Sequence, residues 1–266
     1  MNGIPNSLSL SDIELIKTDS FVRTVEFYHE LPSTNDLALE RMMIEELETP
    51  LLVLAEFQTA GRGRGGNLWW SVPGALTFSL VIDRNECELM EASDGRLSLT
   101  TALAIFDALR EYVPRCDIRL KWPNDVYLDS QKVAGILLER SSMSPARLVV
   151  GMGINVNNSL SAAPDEVRAR ATSLYDATGR NYPLCDVLRR ILKWLVVRFR
   201  MLAADDPRLA VEWQQYSFLH DHIVRVTSGQ GLIEGVCRGI DDQGALLVQT
   251  HAGLQRLLSG IVVHVE

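Results

Sequence analysis

Hydrophobic and polar positions along the chain follow several distinct periods, and each period predicts an element. Leu39, Met42, Met43 and Leu47 recur at helical spacing after Pro32-Ser33-Thr34-Asn35-Asp36, a run that reads as an N-cap, and Pro50 closes the segment. Residues 51–57 form a short continuous apolar run, the pattern of a strand covered on both sides. A glycine-arginine loop follows, and residues 75–82 predict a second strand. Leu99, Ala102, Leu103, Phe106 and Leu109 mark one face of an amphipathic helix that Pro114 closes. Ile118, Leu120 and Trp122 then alternate with Arg119 and Lys121, which is strand periodicity. Turns at Pro123-Asn124-Asp125 and Asp129-Ser130-Gln131 bracket a short strand at 126–128, and apolar runs at 133–138 and 148–156 extend the meander. Leu188, Ile191, Leu192, Leu195, Val196 and Phe199 predict a further helix.

From Ile223 the texture changes. Short apolar runs are separated by Ser228-Gly229, Asp242-Gln243-Gly244, Ala252-Gly253 and Ser259-Gly260, so a small all-β, barrel-like module is expected after a boundary near Phe218. There is no internal repeat or low-complexity tract.

Composition narrows the class. With 266 residues, 47% of them hydrophobic, the chain can build a core and is not globally disordered. Its 26 basic and 34 acidic side chains leave a net charge of -8, which disfavours diffuse attraction to nucleic acid or to an anionic membrane. Cys87, Cys116, Cys185 and Cys237 form no CxxC pair and read as thiols in a reducing compartment. The N-terminal stretch has no basic segment leading an apolar one, and no apolar run is long enough for a membrane span. A cytoplasmic location is expected.

Against that acidic background, Gln58-Thr59-Ala60-Gly61-Arg62-Gly63-Arg64-Gly65-Gly66-Asn67-Leu68-Trp69-Trp70 is an exception: four glycines, two arginines and no acid. Glycine lets backbone N–H groups approach an anion, and arginine supplies planar donors that match phosphate or carboxylate oxygens. Gly61, Gly63 and Gly66 satisfy G-x-G-x-x-G, but the segment leads into another strand rather than opening a helix, so the dinucleotide fingerprint fails on context. The Walker spacing fails because Asn67-Leu68 stands where Lys-Ser/Thr is required. An RGG-type RNA contact is disfavoured because the segment occurs once, between strands. A surface loop without function is the bland alternative.

Three further stretches carry polar groups at strand ends. In Lys121-Trp122-Pro123-Asn124-Asp125, Asp125 suits a metal ion or a ribose, or is simply an Asx-turn. In Lys132-Val133-Ala134-Gly135-Ile136, Lys132 suits an anion at the rim of a pocket, or is a solvated hairpin lysine, and Gly135 permits close approach to the backbone. Gly151-Met152-Gly153-Ile154-Asn155 suits the wall of a small-molecule pocket, or is a strand ending in a turn. There is no G-x-S-x-G elbow and no H-E-x-x-H, and the five histidines form no constellation with the cysteines.

Taken in order, Ser33-Thr34-Asn35, the loop from Gln58 to Trp69, Lys121-Trp122-Pro123-Asn124-Asp125, Lys132-Val133-Ala134-Gly135-Ile136 and Gly153-Ile154-Asn155 resemble the biotin–protein ligases. The resemblance runs from about Phe27 to the last residue. It implies an α+β fold: a mixed β-sheet flanked by helices, related to class II aminoacyl-tRNA synthetases, followed by a small SH3-like β-barrel. The corresponding division is an N-terminal extension at 1–26, a catalytic domain at 27–218 and the barrel at 219–266. The implied reaction joins biotin to ATP as biotinyl-5′-AMP, then transfers the biotinyl group to a lysine of the biotin carboxyl carrier domain of a carboxylase.

By the same resemblance, Arg64 and Lys132 are the catalytic cations that bridge carboxylate and α-phosphate. Ser33, Thr34, Asn35, Gln58, Arg62, Gly63, Arg64, Lys132 and Gly135 would bind biotin. Arg62, Arg64, Trp69, Asn124, Asp125, Lys132 and Asn155 would face ATP, with Mg²⁺ at Asp125 and Trp69 packing over the adenylate as the loop closes. The segment before Ser33 shows no helix-turn-helix pattern with a basic face, so the ligase-only type without specific DNA binding is expected. Family members occur as monomers and homodimers. Lipoate or octanoate transfer on the same scaffold, or a non-catalytic biotin-binding module, are the competing readings.

Overall fold

The computed structural model describes residues 6–90, 94–229 and 231–266; the first five residues of the expected N-terminal extension lie outside that range. Seven strands form a mixed sheet in the order β1-β2-β3-β7-β6-β5-β4. They are β1 (Thr24–Leu31), β2 (Leu51–Gln58), β3 (Ala75–Asp83), β4 (Ile118–Lys121), β5 (Asp125–Leu128), β6 (Gln131–Arg140) and β7 (Arg147–Asn155). β1 and β2 are parallel, and every other neighbouring pair is antiparallel.

The period of two divides the sheet into an oily face and a chemical face. Leu76, Phe78, Leu80 and Ile82 of β3 and Leu148, Val150, Met152 and Ile154 of β7 join the main core. That core is covered by α3 (Asp94–Tyr112) and α6 (Leu184–Ala203), each of which buries a stripe of leucine, isoleucine and phenylalanine. Each such side chain contributes about 1.5–3 kcal/mol through burial. The alternate residues, among them Thr77, Ser79, Gly151, Gly153, Gly135, Leu137 and Glu139, point the other way. On that side lies α2 (Thr34–Arg41), capped by the Ser33 hydroxyl and packed through Ala38 and Met42 against Leu51, Val53, Val81 and Val149.

The helix expected to run toward Pro50 ends earlier. Met42 is its C-cap, and residues 43–47 form turns, because Met42 alone completes the buried stripe while Met43 is exposed. Two elements of the leading segment were not expected from the pattern. α1 (Leu10–Thr18) begins at a Ser9–Asp12 capping box and buries only Ile16, and β1 forms the sheet edge. The remaining helices are α4 (Asp165–Arg168), α5 (Leu174–Thr178) and α7 (Arg208–Tyr216), whose Trp213 donates its indole N–H to the Leu99 carbonyl at 3.0 Å.

The C-terminal strands are β8 (Ile223–Ser228), β9 (Gly231–Ile240), β10 (Leu246–Thr250), β11 (Gly253–Leu257) and β12 (Ile261–Val265). They pair antiparallel in the order β11-β10-β9-β8-β12. The expected barrel is therefore a five-stranded antiparallel sheet: among the described residues no ladder joins β11 to β12. Trp122 ties this sheet to the main domain by donating its buried indole N–H to the Gly244 carbonyl at 3.1 Å. All four cysteines are free thiols. Among the described residues, no helix is long and apolar enough to cross a membrane.

Candidate active site

A cleft of about 160 Å³ opens on the chemical face of the sheet. Its walls come from the start of α2, the arginine loop, the β4–β5 turn, β6, β7 and the segment Gly260-Ile261-Val262. Ser33, Thr34, Asn35, Gln58, Arg62, Gly63, Arg64, Trp69, Asn124, Asp125, Lys132 and Gly135 all line it. Of the expected site residues only Asn155 does not. Its amide donates to the Thr172 carbonyl at 3.0 Å and accepts from Asn158 at 3.0 Å, so it shapes the end of β7 and does not reach into the cleft.

One end of the cleft is a network of buried neutral groups. The Gln58 side-chain carbonyl accepts from both the Thr34 backbone N–H at 2.7 Å and the Thr34 hydroxyl at 3.0 Å. That fixes the amide orientation and leaves the Gln58 NH₂ without a partner among the described residues. Ser33 Oγ accepts from the Asp36 backbone N–H, so its own proton is free to donate. Asn35 is differently placed. Its NH₂ donates to the Leu137 carbonyl at 3.2 Å and to Glu139 at 2.7 Å, and its carbonyl accepts from Ser79 at 2.6 Å. Asn35, expected as a ligand group, lines the cleft and with these bonds holds its floor. Gly151 makes room for it: a Cβ there would stand 1.9 Å from Asn35 Oδ1.

The loop after β2 is bound to itself. The Trp69 N–H donates to the Gly61 carbonyl at 2.9 Å and the Gly63 N–H to the Asn67 carbonyl at 2.7 Å, with Gly65 in the left-handed region at φ 64°. Its two arginines have different fates. Arg62 is clasped by Glu139, at 3.0 and 2.8 Å, and by Asp36 at 2.5 Å. Those hydrogen bonds, Glu139 foremost, raise its pKa above the ordinary guanidinium value even though burial opposes them. Arg62, expected to bind biotin and ATP, lines the cleft with its charge already paired to these two acids. The Arg64 guanidinium makes no hydrogen bond or ion pair among the described residues, although its backbone carbonyl accepts from Asn67. Burial pushes its pKa down, with the charge of Asp125 opposing.

Trp69 lines the cleft. Its ring rests on β7, where a Cβ on Gly153 would come within 2.4 Å of it, and its indole N–H is buried without a partner. It therefore forms a wall.

The opposite wall is cationic. Lys132 Nζ sits 2.6 Å from Asp125 Oδ1 and 5.9 Å from the centre of the Trp69 ring. Lys132 reaches this face because of a β-bulge. Val126 pairs with Ala134 but Tyr127 with Lys132, so Val133 is an extra residue buried in the core, and the lysine turns outward. Lys121 joins the wall and donates to the Tyr127 hydroxyl at 3.2 Å. Burial pushes its ammonium below the ordinary lysine value, Asp125 opposes, and Lys132 and Arg170 push the same way as burial. Asn124, also in the lining, donates to the Ile136 carbonyl at 2.6 Å.

The donor set does not suit a protein-held Mg²⁺. Among the described residues no group of three or more His, Cys, Asp or Glu side chains converges, and the one carboxylate in the wall, Asp125, is already paired with Lys132. Lys121, Ser79, Glu139 and the Gly260-Ile261-Val262 segment belong to the site or its support but were not singled out from the sequence. Lys121 had a signal, since it shares a face with Asp125 in the alternation; the others had none.

Comparison with known proteins identifies the family. The Biotin/lipoate A/B protein ligase family profile matches residues 27–157, and the Biotin protein ligase C terminal domain profile matches residues 220–265. The chain is 30% identical over 260 residues to the bifunctional ligase/repressor BirA of Bacillus subtilis, covering 96% of this chain and 78% of that protein. It is 33% identical over 266 residues to the biotin–[acetyl-CoA-carboxylase] ligase of Mycobacterium tuberculosis, covering 97% and 95%. The solved biotin protein ligase from Aquifex aeolicus in complex with biotin and ATP matches with a TM-score of 0.76 and 31% identity over 90% of this chain and 97% of that one. With matched sequence and fold, the chain belongs to the biotin–protein ligase family.

Proposed function

We propose that this protein is an ATP-dependent biotin–protein ligase, which forms biotinyl-5′-AMP and passes the biotinyl group to a lysine of a biotin carboxyl carrier domain. One observation carries the reading: Arg64 and Lys132, 68 positions apart in sequence, line a single cleft whose other end offers unspent neutral donors. Biotin has a neutral ureido group at one end and a carboxylate at the other, and the cleft is polarised in the same sense. The Ser33 hydroxyl and the Gln58 NH₂ suit the ureido carbonyl. Trp69 and the strands β6 and β7 wall the space between the two ends, where the bicyclic ring and the valeryl chain would lie. The carboxylate then ends beside Arg64 and Lys132.

The chemistry demands such a wall, because carboxylate and triphosphate repel one another. Arg64, Lys121 and Lys132, offset only by Asp125, supply fixed positive charge where the two anions must meet. A carboxylate oxygen attacks the α-phosphorus, the bond from α-phosphorus to the β-bridging oxygen breaks, and pyrophosphate leaves with that electron pair. Charge on the equatorial oxygens of the α-phosphate is met by the guanidinium and the ammonium. In the second step an acceptor lysine in its neutral form attacks the acyl carbon, and AMP departs. Mg²⁺ enters as the counter-ion of the ATP phosphates and not as a resident of the protein. Trp69 and the self-bonded loop keep water from the mixed anhydride between the steps.

The direct test is biotin-dependent exchange of labelled pyrophosphate into ATP. Exchange is expected with biotin and not with lipoate or octanoate; folded, pure protein that shows none with biotin would refute the assignment.

A further inference from the structure

Glu139 lies on β6 outside the lining of the cleft, yet two separate parts of the site meet on its carboxylate. Oε2 accepts from the Asn35 NH₂ at 2.7 Å and from Arg62 Nη2 at 2.8 Å, and Oε1 accepts from Arg62 Nη1 at 3.0 Å. Through Asn35 it reaches Ser79, Thr34 and Gln58, the hydrogen-bonded floor that orients the ureido donors. Through Arg62 it holds the first turn of the loop that carries Arg64. Asp36 completes the clasp from α2, but it is the more exposed of the two acids and touches Arg62 alone among these groups. A two-point guanidinium–carboxylate pair fixes orientation as well as distance.

We infer that Glu139 is a positioning residue, acting through Arg62 and Asn35, that locks the arginine loop to the biotin floor and so sets how long the acyl-adenylate is retained. The inference rests on the ligase reading above. It assigns Arg62 the anchoring of the loop and leaves the meeting of substrate charge to Arg64 and Lys132. Loss of the Glu139 charge frees the base of the loop. The floor survives in part, because a glutamine carbonyl can still accept from Asn35.

The experiment compares wild type, Glu139→Gln, Arg62→Ala, the double variant and Asp36→Asn. Release of biotinyl-AMP from the loaded enzyme, KM for biotin and KM for ATP are measured together with the thermal midpoint. Glu139→Gln should release the adenylate about tenfold faster and raise KM for biotin by a similar factor, as expected for loss of a charge-assisted pair, with KM for ATP changed less than about twofold. In the Arg62→Ala background the same substitution should add little to the release rate, because the two act as one unit. Asp36→Asn should act in the same direction by about threefold, and it stands in if Glu139→Gln does not fold.

Unchanged release, fully multiplicative effects of Glu139→Gln and Arg62→Ala, or a lowered thermal midpoint with unaltered kinetics would each overturn the inference. Wild type that shows pyrophosphate exchange while Glu139→Gln retains adenylate normally would sink this inference alone. Wild type without exchange would sink the ligase reading and this inference with it.

Discussion

Asp125 determines the resting state of the cationic wall, because its carboxylate holds Lys132 at 2.6 Å before any substrate arrives. Replacing Lys132 by alanine removes charge needed at the transition state and leaves Asp125 beside the incoming phosphates. Single-turnover adenylate formation should fall by about 10²–10³-fold, with biotin affinity altered far less. Arg64→Gly leaves the clasped base of the loop intact but removes its cation, so biotinyl-AMP should escape sooner and label bystander lysines, read as adenylate half-life on the enzyme. Lys121 gives the site a pH signature. Its ammonium titrates below the ordinary lysine value, so the charge that meets the triphosphate is lost earlier on the alkaline side. KM for ATP should therefore begin to rise at a lower pH than an ordinary lysine would produce, and Lys121→Arg should flatten that rise. In the folding balance the sign is reversed. The unfolded chain holds this proton more tightly than the native one, so stability gains from Lys121 as pH climbs between the two values.

Strands and loops show what the sequence pattern can and cannot reveal. The alternation in 118–122 reported its strand through a period of two, and the continuous apolar runs at 51–57, 75–82 and 148–156 reported theirs because the middle of the sheet is covered on both faces. The period of two, applied strictly to β6, would bury Lys132 beside Ala134. The bulge at Val133 reverses that, and a bulge leaves no compositional mark. α1 escaped notice because it buries one residue, and the early end of α2 because Met43 and Leu47 continue a helical spacing that the backbone does not follow. The cations and glycines of the site were legible as motifs. Their partners Ser79 and Glu139 were not, since hydrogen bonds across strands distant in sequence have no period. The paired approach of loop and strand at Gly153 yields a prediction at this scale. Gly153→Ala places a methyl 2.4 Å from the Trp69 ring, so the tryptophan must move. Adenylation should drop at least about tenfold while the fold is kept, checked by exchange rate alongside circular dichroism.

At the scale of the whole molecule, two sheets share one site. Ile261 reaches across to the loop, where its Cδ1 lies 3.4 Å from the place a Gly65 side chain would begin, and Trp122 bonds the Gly244 carbonyl. Trp122→Phe keeps the ring and strands that buried carbonyl at a cost of about 1–3 kcal/mol. The thermal midpoint should drop by roughly 2–10 °C, measured by calorimetry. The seven-stranded sheet is itself two pieces: a β1–β2–β3 unit and a β4–β7 meander, zipped only where β3 meets β7 from Ala75↔Asn155 to Asp83↔Arg147. Ser33, Gln58 and Arg64 belong to the first piece, and Lys121, Asp125 and Lys132 to the second. During refolding from denaturant, local hairpins can form early, but joining such remote strands is slow by topology. A chain halted before that seam closes has every reacting group and nowhere for them to meet, so recovered catalysis times the final zipping of the sheet.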